Sequence, residues 1–224
     1  MPLQKQNAKV YLLAGPTGSG KSELIRHFLE NNIQALDLEE MCRHDGSVFS
    51  SLTYQKQPSS YQFHKQLLKT WNRFDLSKPI FIESELKRIG NLNLPEWLVK
   101  SMEEARLILL DVDKTLRSKR LSKIVEQADP GQFTACLQRL SFKLGPKKLG
   151  EAMLHFSLAD WKATADILMD YYDSTPGYLF YPERIKIQIT VNQWDAAYIT
   201  RLIWEKLELS SPDGLSNQFV PNQP

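Results

Sequence analysis

Eight neighbouring residues of the sequence have types and spacing suited to chemistry on phosphate. Gly15, Pro16, Thr17, Gly18, Ser19, Gly20, Lys21 and Ser22 read GPTGSGKS and meet the pattern G-x-x-x-x-G-K-[ST] at every specified position. Glycines in such a stretch let the backbone turn so that successive N–H groups converge on an anion. Lys21 would add a point charge for the terminal phosphates, and the Ser22 hydroxyl would be placed to ligate Mg2+. Gly15, Thr17, Gly18, Ser19, Gly20, Lys21 and Ser22 are therefore the candidate ligand-binding residues. The motif leaves the ligand open, because the diphosphate of ATP, of GTP or of a prenyl donor presents much the same head to the loop.

Acids that could assist stand at the ends of two apolar runs. Ile80-Phe81-Ile82 runs into Glu83, followed by Ser84-Glu85, and an apolar strand ending in a carboxylate is what a phosphate-loop protein uses to hold a Mg2+ shell or activate a nucleophile. Lys21, Glu83 and Glu85 are the candidate catalytic residues, with Ser22 and Glu83 as candidate metal ligands. Asp37 and Glu39 fall at the carboxyl end of a second run at 33–38. They would either orient a substrate or metal-bound water at the sheet's carboxyl edge or cap the next helix.

Candidate polyanion contacts fall in two places. Arg43 and His44, beside Cys42, lie in a long irregular stretch at 41–60 whose Val48, Phe49, Leu52 and Tyr54 would dock it on the body of the protein. A second set is a basic helical section with Lys114, Arg117, Lys119, Arg120 and Lys123, then Arg139, Lys143, Lys147 and Lys148. This section would be a lid closing on phosphates, a seat for RNA, or a solvated face.

The elements that must position these residues follow from periodicity. Residues 9–14 form a buried parallel strand before the loop, and Leu24, Ile25, Phe28 and Leu29 recur at helical spacing after it. A second strand at 33–38, a helix from Ser59 or Ser60 carrying Phe63, Leu67, Trp71 and Phe74, a third strand at 78–83, a turn at 89–94, a helix after Pro95 and a fourth strand at 106–112 give a β-α-β-α-β-α-β order. That order implies an α/β fold with a parallel sheet and helices on both faces. Successive helices to Asp173 form an insertion after the fourth strand, with Tyr171-Tyr172-Asp173 at a break. An edge strand at 185–191 and a last helix carrying Trp194, Ile199, Leu202, Ile203 and Leu207 complete it. Residues 1–210 are expected to be one phosphate-loop domain, with 113–173 as helical insertion or lid and 211–224 as a disordered tail.

Composition narrows the class. With 224 residues, 42% hydrophobic and 24% charged, the chain can bury a full core. A net charge of +2 from 28 basic and 26 acidic residues gives no global field for nucleic acid, so any such contact must be local. Cys42 and Cys136 are far apart and in no C-x-x-C pattern, which excludes a disulfide framework or a thiolate zinc site. No apolar stretch is long enough for a signal h-region or a membrane span, so a cytoplasmic protein without membrane contact is expected.

Read together, GPTGSGKS, LDLEEMCRHDGSVF at 36–49, QPSS at 57–60, IESELKRIG at 82–90, LNLPEWLVKSM at 92–102 and YYD at 171–173 resemble the phosphate-loop domain of tRNA 2-selenouridine synthase. The resemblance implies a P-loop NTPase-like fold and a transferase acting on the wobble 2-thiouridine of tRNA. Enzymes of that family geranylate the sulfur from geranyl diphosphate and then replace it with selenium from selenophosphate. It implies that the loop holds geranyl diphosphate or a nucleotide with Mg2+, and that Arg43, His44, Arg117 and Arg120 face tRNA. The family usually carries an N-terminal rhodanese-like domain, whereas this sequence starts a few residues before its first strand; a separate rhodanese-like subunit is then an expected partner. Asp45, Ser50 and Phe63-His64-Lys65 depart from the family pattern. The alternative is an ATP-binding kinase-like protein or ATPase with no RNA substrate.

Overall fold

The computed structural model describes residues 9–44, 56–84, 87–174 and 185–209. Its centre is a five-stranded parallel sheet made of β1 (Val10–Ala14), β2 (Ala35–Leu36), β3 (Ile80–Glu83), β6 (Arg106–Val112) and β7 (Ile185–Val191), in the order β2-β3-β1-β6-β7. β1 is central, with β3 and β6 on either side. The chain leaves β1 toward one half of the sheet and later returns to build the other, so the carboxyl end of β1 is where a crevice for ligands opens.

Period-two alternation in β1 explains why both faces are covered. Val10, Leu12 and Ala14 join the core under α3 (Ser60–Trp71) and α4 (Glu96–Glu104), whereas Tyr11 and Leu13 join the core under α1 (Lys21–Glu30) and α9 (Ala196–Lys206). On the α1 face Phe28, Phe81 and Trp204 form an aromatic knot, with Phe28 and Phe81 centroids 4.7 Å apart. Leu24, Ile25 and Phe28 are buried as their spacing predicts, while Leu29 is 45% exposed at the rim of that stripe.

Local departures from the sequence expectation have physical causes. The second strand is only two residues long, because Asp37 turns the chain and its side chain accepts the Glu40 N–H (2.8 Å), the capping alternative for that acid, and α2 (Leu38–Cys42) that it starts reaches into the stretch expected to be irregular from 41. The expected turn at 89–94 is a small antiparallel hairpin, β4 (Arg88–Ile89) with β5 (Leu92–Asn93). Gln57 ties that hairpin down, donating to the Cys42 and Ile89 carbonyls and accepting the Asn91 N–H. The helices run to Asp173 as expected, α8 (Trp161–Asp173) ending there, but Trp194 lies before α9, whose N-cap is Asp195.

Between β6 and β7 come α5 (Lys114–Glu126), α6 (Pro130–Arg139), α7 (Ser141–Ser157) and α8, with a core of their own. Phe133, Cys136, Leu137, Leu144, Ala165, Leu168 and Tyr172 are buried in it, joined by Leu140, Leu149, Met153, Phe156 and Trp161 at its margin, as the helical spacing predicts. Among the described residues no helix is long and apolar enough to cross a membrane. Residues 45–55, Glu85 and the expected tail at 211–224 lie outside the described residues, as do Tyr178, Phe180 and Tyr181, whose aromatic rings the sequence offers for stacking a base or roofing the sheet.

Candidate phosphate-binding site

The phosphate loop leaves the carboxyl end of β1 and feeds directly into α1. Its turn is closed by the Ser19 N–H donating to the Pro16 carbonyl (3.1 Å). Gly20 is the N-cap of α1, in the left-handed region (φ 85°), and among the described residues no side chain caps the helix. The first-turn N–H groups therefore stay available for an anion, and the helix dipole favours negative charge there. Two glycines owe their identity to what leans on the loop: at Gly20 a Cβ would overlap the Trp194 ring, and at Gly18 it would press on Leu121 of α5 at 3.0 Å.

Each loop side chain has a definite place. Lys21 donates its Nζ to the Gly15 carbonyl at 2.9 Å, so the ammonium is folded over the cradle. The Ser19 hydroxyl is fully buried and has no hydrogen-bond partner among the described residues. Ser22 donates its hydroxyl to Glu39 Oε2 (3.0 Å), a carboxylate that is 8% exposed. Of the two acids after β2, Asp37 is thus the helix cap and Glu39 the one that reaches the loop. Burial first, and then the charge of Glu39, push the Asp37 carboxyl above its ordinary pKa, against the opposing hydrogen bond from Glu40 and the charge of Arg26.

Glu83 is fully buried at the carboxyl end of β3, in register with Leu13 of β1, and the next residue returns a bond from the Ser84 N–H to the Leu13 carbonyl (2.9 Å). It therefore stands one strand away from the start of the loop. Glu85 falls outside the described residues. Arg43 is exposed at the left-handed end of α2 (φ 50°), and the His44 N–H donates to the Glu39 carbonyl at 3.0 Å, so both sit a few residues beyond the acid that meets Ser22.

The two arginines of α5 turn inward to the loop. Arg117, 6% exposed, donates to the Thr17 carbonyl (3.1 Å) and forms a two-pronged pair with Asp173 (3.0 and 2.9 Å). Such forked pairs combine strength with orientation, and this one clamps α5 and α8 to the phosphate loop. Arg120 donates to Glu23 Oε2 (2.6 Å) and stacks its guanidinium 4.2 Å from the Trp194 ring centroid, while the Trp194 N–H donates to Glu23 Oε1. Loop helix, helical insertion and the segment after β7 thus meet in one triad beside Gly20.

Glu23, Asp173 and Trp194 did not stand out as site residues in the sequence, where Asp173 is only the end of a motif and Trp194 reads as one more apolar helix position. The signal for Trp194 is its place just after the last strand, at the same sheet edge as the loop. Cys42 and Cys136 are buried, form no disulfide and belong to the cores.

The fold and this loop define a phosphate-loop α/β domain of the NTPase-like class. A family model described as the tRNA 2-selenouridine synthase AAA domain matches residues 8–154, more than half of the chain, and the chain belongs to that family. Relatives named tRNA 2-selenouridine synthase include those of Nitrosomonas europaea (33% identical over 109 residues, 47% of this chain and 28% of the relative) and Aeromonas salmonicida (37% over 112 residues, 49% and 29%). That of Shewanella denitrificans is 31% identical over 142 residues, covering 62% of this chain and 36% of the relative. The chain spans about a third of the length of these curated relatives.

Proposed function

We propose that the chain is the diphosphate-binding component of a tRNA 2-selenouridine synthase-like transferase, acting in the cytoplasm on the wobble 2-thiouridine of tRNA. The observation that carries this reading is the phosphate loop inside a domain of that family, with Lys21 over the cradle and Ser22 on Glu39. In the alkylation step a bond forms between the uridine sulfur and the geranyl carbon, the carbon–oxygen bond of geranyl diphosphate breaks, diphosphate leaves with the electron pair, and the N3 proton of the thiouracil passes to solvent. Lys21 and the N–H groups at the start of α1 orient that diphosphate and take up its growing charge.

The residues present fit Mg2+. Ser22 and Glu39 offer oxygen donors 3.0 Å apart beside the loop, the chemistry a hard cation prefers. Among the described residues no group of three or more His, Cys, Asp or Glu is assembled as a metal cage. When bound, Mg2+ supplies neutralising charge to the diphosphate. Glu83, buried behind the loop, supports that region as a second acid. The selenium step and a rhodanese-like partner subunit belong to the same proposal.

The alternative ligand is a nucleotide, whose phosphates present much the same head to the loop. Calorimetric titration with geranyl diphosphate and, separately, with ATP, each with Mg2+, decides between them. Tight geranyl diphosphate and weak ATP binding is the expected result. The reverse would overturn the prenyl-transfer reading in favour of ATP chemistry.

A further inference from the structure

We infer that the corner between α6 and α7 is an RNA-contacting surface, in which Phe142 stacks on an unpaired base while Arg139, Lys143, Lys147 and Lys148 hold the flanking phosphates. The inference rests on the tRNA reading above and assigns the place on this chain where the RNA lies.

Charge is the first observation. Residues 139–150 read RLSFKLGPKKLG, with four cations and no acid. All four are exposed, and among the described residues none has a carboxylate within ion-pair distance. Elsewhere in the same helical section four cations are neutralised, Lys114 by Asp170, Arg117 by Asp173, Arg120 by Glu23 and Lys162 by Asp166, while Lys119 and Lys123 of α5 are exposed without an aromatic among them. The corner is thus a local positive field on a chain whose net charge is only +2.

The aromatic is the second observation. Phe142 is 98% exposed in the middle of these cations, and no ring partner for it exists among the described residues. Backbone and core hold the corner in this form. The Leu140 N–H bonds to the Cys136 and Leu137 carbonyls, and the Lys143 and Leu144 N–H groups return to Leu140 at 2.9 and 2.8 Å. Leu137 and Leu144 are buried beneath, so Phe142 is turned outward by a fixed turn.

The shape adds a third. Gly145 adopts φ 75°, ψ 161°, interrupting α7 before Pro146, and a Cβ there would meet nothing within 4 Å. Glycine is therefore required by the dihedral and not by packing. The break starts the helix again with Lys147 and Lys148 in its first turn, where the dipole adds to their positive potential.

Cations with an aromatic set among them are what a single-stranded nucleic acid recognises: the cations track the backbone, and the ring offers a face to any base. A lipid surface would ask for a continuous apolar face, which four charges around one ring do not provide.

The test is binding of the whole chain to an unmodified transcript of a tRNA with a wobble uridine, followed across salt concentration. Replacing Arg139, Lys143, Lys147 and Lys148 together by Gln should flatten the slope of log affinity against log salt by about 0.7 to 0.9 per lost phosphate contact. Phe142→Ala should weaken binding about tenfold or more with the slope unchanged, and Phe142→Trp should restore it. The exposed, already paired Lys162→Gln should do neither. If the wild type binds tRNA and the four-Gln variant keeps its slope, the corner is a solvated face and the inference is overturned while the tRNA reading stands. If the wild type binds no tRNA, the tRNA reading itself falls. Binding to phosphatidylserine vesicles that is lost in the same variants, without tRNA binding, would assign the corner to a membrane instead.

Discussion

The phosphate-loop end and the α6–α7 corner treat positive charge in opposite ways. Around the loop each arginine of α5 is held by a carboxylate and touches the loop or the residue covering it, Arg117 through the Thr17 carbonyl and Arg120 through Trp194. At the corner the cations are exposed and without carboxylate partners among the described residues. The difference teaches that a basic helical section is two devices in one stretch. Its first helix uses arginines as struts that fix α5 and α8 against the ligand cradle. Its middle leaves charge exposed, as Lys119 and Lys123 of α5 also are, so the presence of a carboxylate partner, and not basicity as such, separates a strut from an open cation.

The largest effect expected at the loop end is on ligand binding. Lys21→Ala removes the ammonium that lies over the cradle on the Gly15 carbonyl, and diphosphate affinity should fall by about a hundredfold, as for a partly buried, hydrogen-bonded charge lost from a site. Thermal stability should hardly change, because the side chain faces the ligand. Calorimetry with the diphosphate reads the first and a melting curve the second; undiminished affinity would remove the loop from the mechanism and with it one side of the comparison.

Next in size is the strut itself. Arg117→Ala leaves Asp173 without its forked partner and the Thr17 carbonyl without its donor, and breaking a pair with one side chain 8% and the other 29% exposed should cost about 2 to 3 kcal/mol in urea unfolding. The four-Gln variant of the corner, by contrast, should unfold within about 0.5 kcal/mol of the wild type. If both variants were equally stable, the division into struts and free charges would be broken.

Gly20→Ala tests how tightly the cover sits on the cradle. The Cβ would overlap Trp194 in a backbone conformation that L residues rarely adopt, at a cost of about 1 to 3 kcal/mol. Combining it with Trp194→Ala should relieve the overlap but not the backbone strain, so the double variant should lose less than the sum of the two single changes.

Much of this was legible in the residues and some of it was not, for reasons that differ by element. The loop, the five strands of the parallel sheet and the buried stripes of the inserted helices follow from local patterns, because buried strands read as apolar runs and helix faces repeat at fixed spacing. Glu39 was legible only as one of two acids after β2, since a cap and a loop partner share the same residue type and differ in which way the chain turns. The inward setting of Arg117 and Arg120 could not be read at all. It depends on Asp173 and Glu23, 56 and 97 residues away in the chain, and no local pattern distinguishes a clamped arginine from a solvated one.

Asp37 is where the loop end leaves a charge poorly compensated, and it gives the smallest and most specific prediction. Its carboxyl is raised above the ordinary value of 3.8, chiefly by burial, so the folded state holds this proton to higher pH than the unfolded chain does. As pH rises past the unfolded value, the unfolded state releases the proton first and stability falls until the folded pKa is passed; the contribution is full below the unfolded pKa and gone above the folded one. Asp37→Asn keeps an acceptor for the Glu40 N–H, since Asn caps about as well as Asp, and removes the proton. The variant should lose this fall between acid and neutral pH and gain less than about 1 kcal/mol at pH 7, whereas Asp37→Ala should lose about 1 kcal/mol with the cap. Urea midpoints of the three proteins across that range check both signs. An Asn variant with the wild-type pH profile would mean that the charge is relieved at the site, and that this end of the molecule compensates its acids as completely as its arginines.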